Sequence, residues 1–155
     1  MLIIFSIIAT ALIIKFREQI SKKLKIIDHP TEKRKIHNLP TPLIGGLIII
    51  INLLLINTYL FFKNELSNLD ITIFIFCLFS FIIGLIDDIK KISSLNKLII
   101  IGLAYMLIGV FDKNLFLEYL YSETLDKFFA LNVFNIFFST LCILLLINAF
   151  NLIDG

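Results

Sequence analysis

An all-α, polytopic transmembrane helix bundle is the fold class the sequence predicts, and three observations carry the prediction. Hydrophobic residue types make up 59% of the 155 residues, at a mean hydropathy of +0.98. Only 17% of residues are charged, against roughly 25% in an ordinary soluble domain. The charges also fall between long uncharged runs instead of alternating with apolar residues, so a soluble globular monomer is close to excluded. A formal net charge of +2 is too small to make nucleic acid the partner.

The uncharged runs are Met1 to Ile14, Ile36 to Phe62, Ile71 to Ile86, Leu98 to Phe111 and Phe128 to Ile153. Crossing the hydrocarbon takes about 20 helical residues. The second and fifth runs reach this outright, and the others reach it with flanking residues whose charged ends snorkel. Five spans are predicted, near 1–16, 42–62, 70–87, 97–111 and 131–152, in one integral-membrane domain over 1–155. Ala9-Thr10-Ala11 resembles a signal-peptide cleavage site, but no basic residue precedes the apolar stretch, which favours a retained helix. Cys77 and Cys142 stand alone in apolar runs, with no metal-ligand spacing, and read as packing residues.

Spans joined by short loops alternate in direction. Eleven of the fourteen Lys and Arg then fall on one side, at 15–35 and 90–97, against Lys63, Lys113 and Lys127 on the other. The positive-inside rule makes the first side cytoplasmic and the N-terminus external. Phe16, Ile20, Leu24 and Ile27 recur at helical spacing among basic residues, predicting an amphipathic continuation of the first helix at the headgroups. On the outer side, Leu115 to Leu120, with Tyr119 and Tyr121, reads as an interfacial helix and part of an aromatic belt.

Three clusters do not suit a plain membrane bundle, and all three fall on the cytoplasmic side. In the first, Arg34, Lys35 and His37 precede Pro40-Thr41-Pro42 and Gly45-Gly46. The prolines hold an extended approach, so the helix starts only after Pro42. Its first amides then carry the positive end of the dipole, and the glycines leave backbone accessible beside cationic side chains. This corner suits a phosphate, and equally a simple helix start beside a positive-inside loop.

Asp87-Asp88, followed by Lys90 and Lys91, closes the third span. Adjacent carboxylates at a helix C-terminus repel each other and face the negative end of the macrodipole, so a positive partner is expected. Mg²⁺ is one, since it takes one or two carboxylates together with substrate phosphates. Consecutive helical residues point about 100° apart, which gives the two aspartates separate tasks. The bland alternative is a solvated turn with local Asp/Lys pairing. In the third cluster, Asn148, Asn151 and Asp154 repeat every three residues on one helix face. Such a face avoids lipid and turns to a polar cavity, unless Asp154 simply ends the helix among the headgroups.

Carboxylates, carboxamides, cations and a helix N-terminus at one membrane face suit phosphoryl chemistry on an amphiphile. The motifs themselves, Asp28-x-Pro30 with Arg34-Lys35-x-His37, Pro40-Thr41-Pro42-x-x-Gly45-Gly46, Gly84-x-x-Asp87-Asp88 with Ser93 and Lys97, and Asn148-Ala149-Phe150-Asn151-x-x-Asp154-Gly155, resemble the polyprenyl-phosphate N-acetylhexosamine-1-phosphate transferases of glycosyltransferase family 4. The resemblance runs in order from Asp28 to Gly155. The Arg-Lys-x-His element is more similar to the branch that uses undecaprenyl phosphate and N-acetylglucosamine 1-phosphate than to the muramoyl-pentapeptide branch, which stands as the alternative. Arg34-Lys35 sits one residue further from Asp28 than in the family pattern. By analogy with the family, the full fold has about ten or eleven helices and a third motif that runs on to a second Asp-Gly. The resemblance therefore implies an N-terminal fragment, inactive alone.

What the resemblance implies is transfer of a sugar 1-phosphate from a UDP-N-acetylhexosamine to a polyprenyl phosphate, with UMP released. Mg²⁺ is the implied cofactor, with Mn²⁺ as a substitute. Asp87 and Asp88 become the catalytic residues, and Asp88 and Asp154 the metal ligands. Arg34, Lys35, His37, Gly45, Gly46, Lys90, Lys97, Asn148 and Asn151 become substrate-binding. The implied location is the bacterial inner membrane, and a homodimer is compatible with it. A transporter would place its ionisable residues near the midplane instead of at one face. A non-catalytic anchor or assembly subunit leaves the Asp-Asp pair and the Asn/Asp face unexplained.

Overall fold

The computed structural model describes residues 2–28 and 39–153, and the chain divides into two compact units, the first running to Ile92 and the second from Ser93. In the first unit, α1 (Leu2–Lys15), α2 (Arg17–Leu24), α3 (Gly45–Lys63) and α4 (Asn68–Lys90) are joined by two-residue strands β1 (Ile27–Asp28) and β2 (Thr41–Pro42). The second contains α5 (Ser94–Gly109), strands β3 (Tyr119–Ser122) and β4 (Lys127–Ala130), and α6 (Asn135–Ile153), with single 3₁₀ turns at Lys113–Leu115 and Asn132–Phe134.

Among the described residues, α3, α4 and the stretch Asn132–Phe150 are long and apolar enough to cross a membrane, while α1 and α5, at 14 and 16 residues, are shorter apolar helices. The ranges 1–16, 42–62, 70–87, 97–111 and 131–152 overlap α1, α3, α4, α5 and α6 in turn. Large apolar side chains are exposed along all of them, including Ile3 and Ile7 on α1, Ile49 and Phe61 on α3, Ile75 and Ile82 on α4, and Leu141 and Leu145 on α6. Such surfaces would drive aggregation in water. In a bilayer they face a solvent as apolar as themselves, and every helix satisfies its own backbone.

The helix boundaries have local causes. Pro40 and Pro42 hold off helix until Gly45, and α3 ends where Asn64 adopts the left-handed conformation, with the Glu65 amide returning to the Leu60 carbonyl at 3.0 Å. Ser67 then starts α4 through a capping box: its hydroxyl accepts from the Asp70 amide at 3.1 Å, while Asp70 accepts from the Ser67 amide at 3.0 Å. The four-residue turn makes α3 and α4 antiparallel neighbours. They pack closely at Gly46, where a Cβ would lie 2.9 Å from the Phe81 ring. Asn52 of α3 donates to Thr10 of α1 at 3.0 Å, tying the first helix to the same unit.

Two expectations need correction. The amphipathic stretch does not extend α1 to Ile27. Phe16 interrupts the helix, α2 ends where Lys25 turns left-handed, and Ile27 belongs to β1, paired with Pro42. The Leu115–Leu120 region is not an interfacial helix. It leads into an antiparallel hairpin in which Tyr119 faces Ala130, Leu120 faces Phe129, Tyr121 faces Phe128 and Ser122 faces Lys127. Tyr and Phe favour a pleated strand over a helix, and Asp126, at φ 47°, supplies the left-handed turn residue. Cys142 is also exposed on α6, whereas Cys77 is half-buried.

Candidate active site at the helix ends

The first unit brings two of the three sequence clusters to one end. Because α3 and α4 run antiparallel with Gly46 against Phe81, Asp87 lies six residues further along α4. That is about 9 Å along the axis at 1.5 Å per residue, past the start of α3. The N-terminal amides of α3 and the C-terminal carboxylates of α4 therefore share an end, the positive pole of one dipole beside the negative pole of the next. The β1–β2 clip holds Asp28 beside Thr41 at that entry to α3, and the buried Ile26 accepts from the Leu43 amide at 3.1 Å. Arg34, Lys35 and His37, between the two strands, lie outside the described residues.

The two glycines differ. Gly46 is closed by Phe81, which gives it a packing role, while a Cβ at Gly45 would meet nothing within 4 Å. Gly45, the first residue of α3, therefore has open space beside its backbone, as an anion approaching the helix N-terminus requires.

Asp87 and Asp88 occupy the last turn of α4. Asp87 is half-buried and accepts the Ile92 amide at 2.8 Å, and its own carbonyl accepts from Lys91, also at 2.8 Å. The donated amide supplies part of the positive partner that a carboxylate at a helix C-terminus needs. The sequence reading missed it, because nothing in residue spacing indicates where the chain turns after Lys91, the left-handed C-cap. Asp88 is exposed, about 100° around the helix, as are Lys90 and Lys91. Ser93 caps α5 by accepting from the Asn96 amide at 3.3 Å, a role its Ser-x-x-Asn spacing makes readable.

The remaining site residues belong to the second unit. Lys97 is half-buried in the first turn of α5. Asn148 is exposed on the last third of α6, and the α6 backbone continues helical through Asn151 to Ile153, so Asn148 and Asn151 share a helix face; Asp154 lies outside the described residues. Among the described residues no three His, Cys, Asp or Glu side chains gather into a metal-holding group. The oxygen donors of Asp87 and Asp88 fit a hard cation held by one or two carboxylates, with substrate phosphates and water completing its shell.

Helices of membrane-spanning length that end in carboxylates and an open helix N-terminus are compatible with a membrane protein acting on phosphorylated substrates. Residues 70–155 match the family model described as glycosyl transferase family 4. The match covers more than half of the chain, and the chain belongs to this family, whose general activity is that of a polyprenyl-phosphate sugar-1-phosphate transferase. The matched stretch takes in the second and third clusters and leaves out the first. No curated protein and no solved structure matches the chain.

Proposed function

We propose that the protein transfers N-acetylglucosamine 1-phosphate from UDP-N-acetylglucosamine to undecaprenyl phosphate, an early membrane step of cell-wall or surface-polysaccharide assembly. The observation that carries the reading is the meeting, at one end of the α3–α4 pair, of the Asp87–Asp88 carboxylates with the open N-terminus of α3 at Gly45. A lipid phosphate and a sugar diphosphate both need such a mixture of acceptors and positive dipoles.

In the proposed reaction an oxygen of the lipid phosphate attacks the sugar-bearing phosphorus of the donor. The bond between the two donor phosphorus centres through their bridging oxygen breaks, and UMP leaves with that oxygen. Asp87 takes the proton from the attacking phosphate, or in a two-step course is itself the nucleophile. Its hydrogen bond from the Ile92 amide holds the carboxylate in place. Asp88 and Asp154 would hold Mg²⁺, which supplies neutralisation of charge on the diphosphate. Gly45, Arg34, Lys35, His37, Lys90 and Lys97 bind phosphates, with Gly46 supporting Gly45 through its packing on Phe81, and Asn148 and Asn151 bind the nucleotide sugar. The charge asymmetry supports a site on the cytoplasmic side of a bacterial inner membrane, with the N-terminus outside.

The test uses membranes carrying the protein expressed from its own gene, supplied with undecaprenyl phosphate and a series of UDP-amino sugars, with and without Mg²⁺. UMP release that requires the lipid phosphate, Mg²⁺ and UDP-N-acetylglucosamine is expected. Release only with a muramoyl-pentapeptide donor would move the protein to that branch. No release with any donor, from protein shown to be inserted, would leave a non-catalytic anchor or assembly role.

A further inference from the structure

The β3–β4 hairpin takes no part in the proposed chemistry, yet it is the most aromatic surface of the second unit. Its register puts Tyr119, Tyr121, Phe128 and Ala130 on one face, and Leu120, Ser122, Lys127 and Phe129 on the other. The first face is the barer: Tyr119, Tyr121 and Phe128 are 59%, 51% and 73% exposed, with the Tyr121 and Phe128 rings 4.9 Å apart. A two-stranded hairpin is marginally stable in water on its own. One with three adjacent bare rings needs a cover.

The root of the hairpin indicates what that cover is. The Leu117 amide donates to the buried Ser139 hydroxyl at 2.8 Å, and Ser139 lies well inside the membrane-spanning stretch Asn132–Phe150. Phe116 is buried edge-on against Tyr105 of α5, and the Tyr105 hydroxyl donates to the Leu115 carbonyl at 2.8 Å. The Leu131 amide donates to the Glu118 carbonyl at 2.9 Å, so both strands leave from the end of the span, beside Asn132. Tyr119 stands at that root, and Tyr121 and Phe128 lie only two strand residues, about 7 Å, further out, so even a hairpin running straight outward keeps its rings at the depth of the interface. The charged side chains gather at its far end, at Glu123, Asp126 and Lys127. Phe134, in the turn that follows β4, and Phe137, in the first turn of α6, are exposed apolar side chains of the same kind.

We propose that the β3–β4 hairpin is a membrane-interface anchor, its Tyr119–Tyr121–Phe128 face laid on the headgroup region of the bilayer that α5 and α6 cross, with Ser122 and Lys127 turned to water. Aromatic rings with a polar tip favour this layer. Tyr121 satisfies its tip by donating to Asp126 at 2.7 Å. The occupant is lipid of the same membrane and does not depend on which sugar is transferred.

The chain contains no tryptophan, so a single substituted tryptophan reports on its own position. Phe128→Trp and Phe129→Trp place that reporter on opposite faces of one strand. Each is reconstituted in phosphatidylethanolamine/phosphatidylglycerol vesicles containing lipids with a quencher at the headgroup or at mid-chain. Insertion is established beforehand by mid-chain quenching of Leu146→Trp, on α6. The anchor predicts blue-shifted emission from Phe128→Trp, quenched several-fold more by the headgroup label than by the mid-chain label, and several-fold weaker quenching of Phe129→Trp. Water-like emission from both positions overturns it. So does blue-shifted but unquenched emission from Phe128→Trp, which would mean that a second copy or another protein covers the face, and so does stronger quenching of Phe129→Trp than of Phe128→Trp.

Discussion

Helices α4 and α5 are each followed by a turn that an aspartate organises, and the two turns differ in almost everything else. Asp87 accepts the Ile92 amide within a turn of three residues before the next helix. That turn brings Asp88, Lys90 and Lys91 to the surface. Asp112 accepts the Asn114 amide at 3.0 Å in a long connection that folds back on its own helices, burying Phe116 against Tyr105 of α5 and bonding the Leu117 amide to the buried Ser139 of α6. One Asp112 oxygen is buried without a partner among the described residues. The contrast separates what the fold needs from what it does not. The α5–α6 connection uses most of its polar groups in its own packing, as in the Asn114–Asp112 and Leu117–Ser139 bonds. The end of α4 gathers more charge than capping calls for, and the proposed reaction is what would use the surplus.

The sharpest way to break that comparison is to neutralise each aspartate in turn. Asp87→Asn keeps an oxygen for the Ile92 amide and removes the base, so turnover should fall by about 10²- to 10⁴-fold, the usual contribution of a positioned general base. Asp112→Asn likewise keeps an acceptor for Asn114, and turnover per inserted molecule should stay near normal. Both are read as UMP release normalised to membrane-inserted protein. Equal losses in the two variants would erase the distinction between a chemical and a structural end.

Packing offers the next contrast. Gly109 ends α5 against Phe116, and a Cβ there would overlap the ring, whereas a Cβ at Gly45 meets nothing. Gly109→Ala should destabilise the second unit by about 1–3 kcal/mol, the usual cost of overpacking. Gly45→Ala should change stability by no more than about 0.5 kcal/mol, as for a surface change. Thermal unfolding in detergent measures both. Lost activity in a Gly45→Ala protein of unchanged stability would mark that open backbone as a place where substrate approaches.

These contrasts also explain which features could be read from the sequence. The all-α membrane class follows from composition alone. The helix ends follow from prolines, a capping serine and charged residues, all of which act locally: Pro40 and Pro42 before α3, Ser93 before α5, and Lys63 and Lys90 at helix C-termini. The hairpin is harder to read because Tyr119 and Tyr121 equally suit an aromatic belt on an interfacial helix, although Tyr-Leu-Tyr-Ser and Lys-Phe-Phe-Ala are strand-forming types flanking a polar turn. The site was legible as residue types but not as contacts. Gly46 reads like its neighbour until Phe81 is placed against it, and the Ile92 amide has no side chain to advertise its role.

The smallest expected effect concerns how each turn is held. Tyr121 is pushed above the ordinary tyrosine pKa by its hydrogen bond to Asp126. Because the folded value is the higher one, the stabilisation is fully present below the ordinary value of about 10 and is lost as pH rises through the raised value. The difference in phenolate absorbance between the protein and its Tyr121→Phe variant isolates this titration. Asp126→Gly suits the left-handed φ of 47° and removes the acceptor, so the Tyr121 midpoint should fall back toward the ordinary value. An unchanged midpoint would mean that the hydrogen bond does not hold the hairpin turn. The end of α4 provides the internal reference: the donor to Asp87 is the backbone amide of Ile92, which does not titrate, so over the alkaline range in which Tyr121 ionises the hairpin should loosen while the Asp87 turn stays as it is.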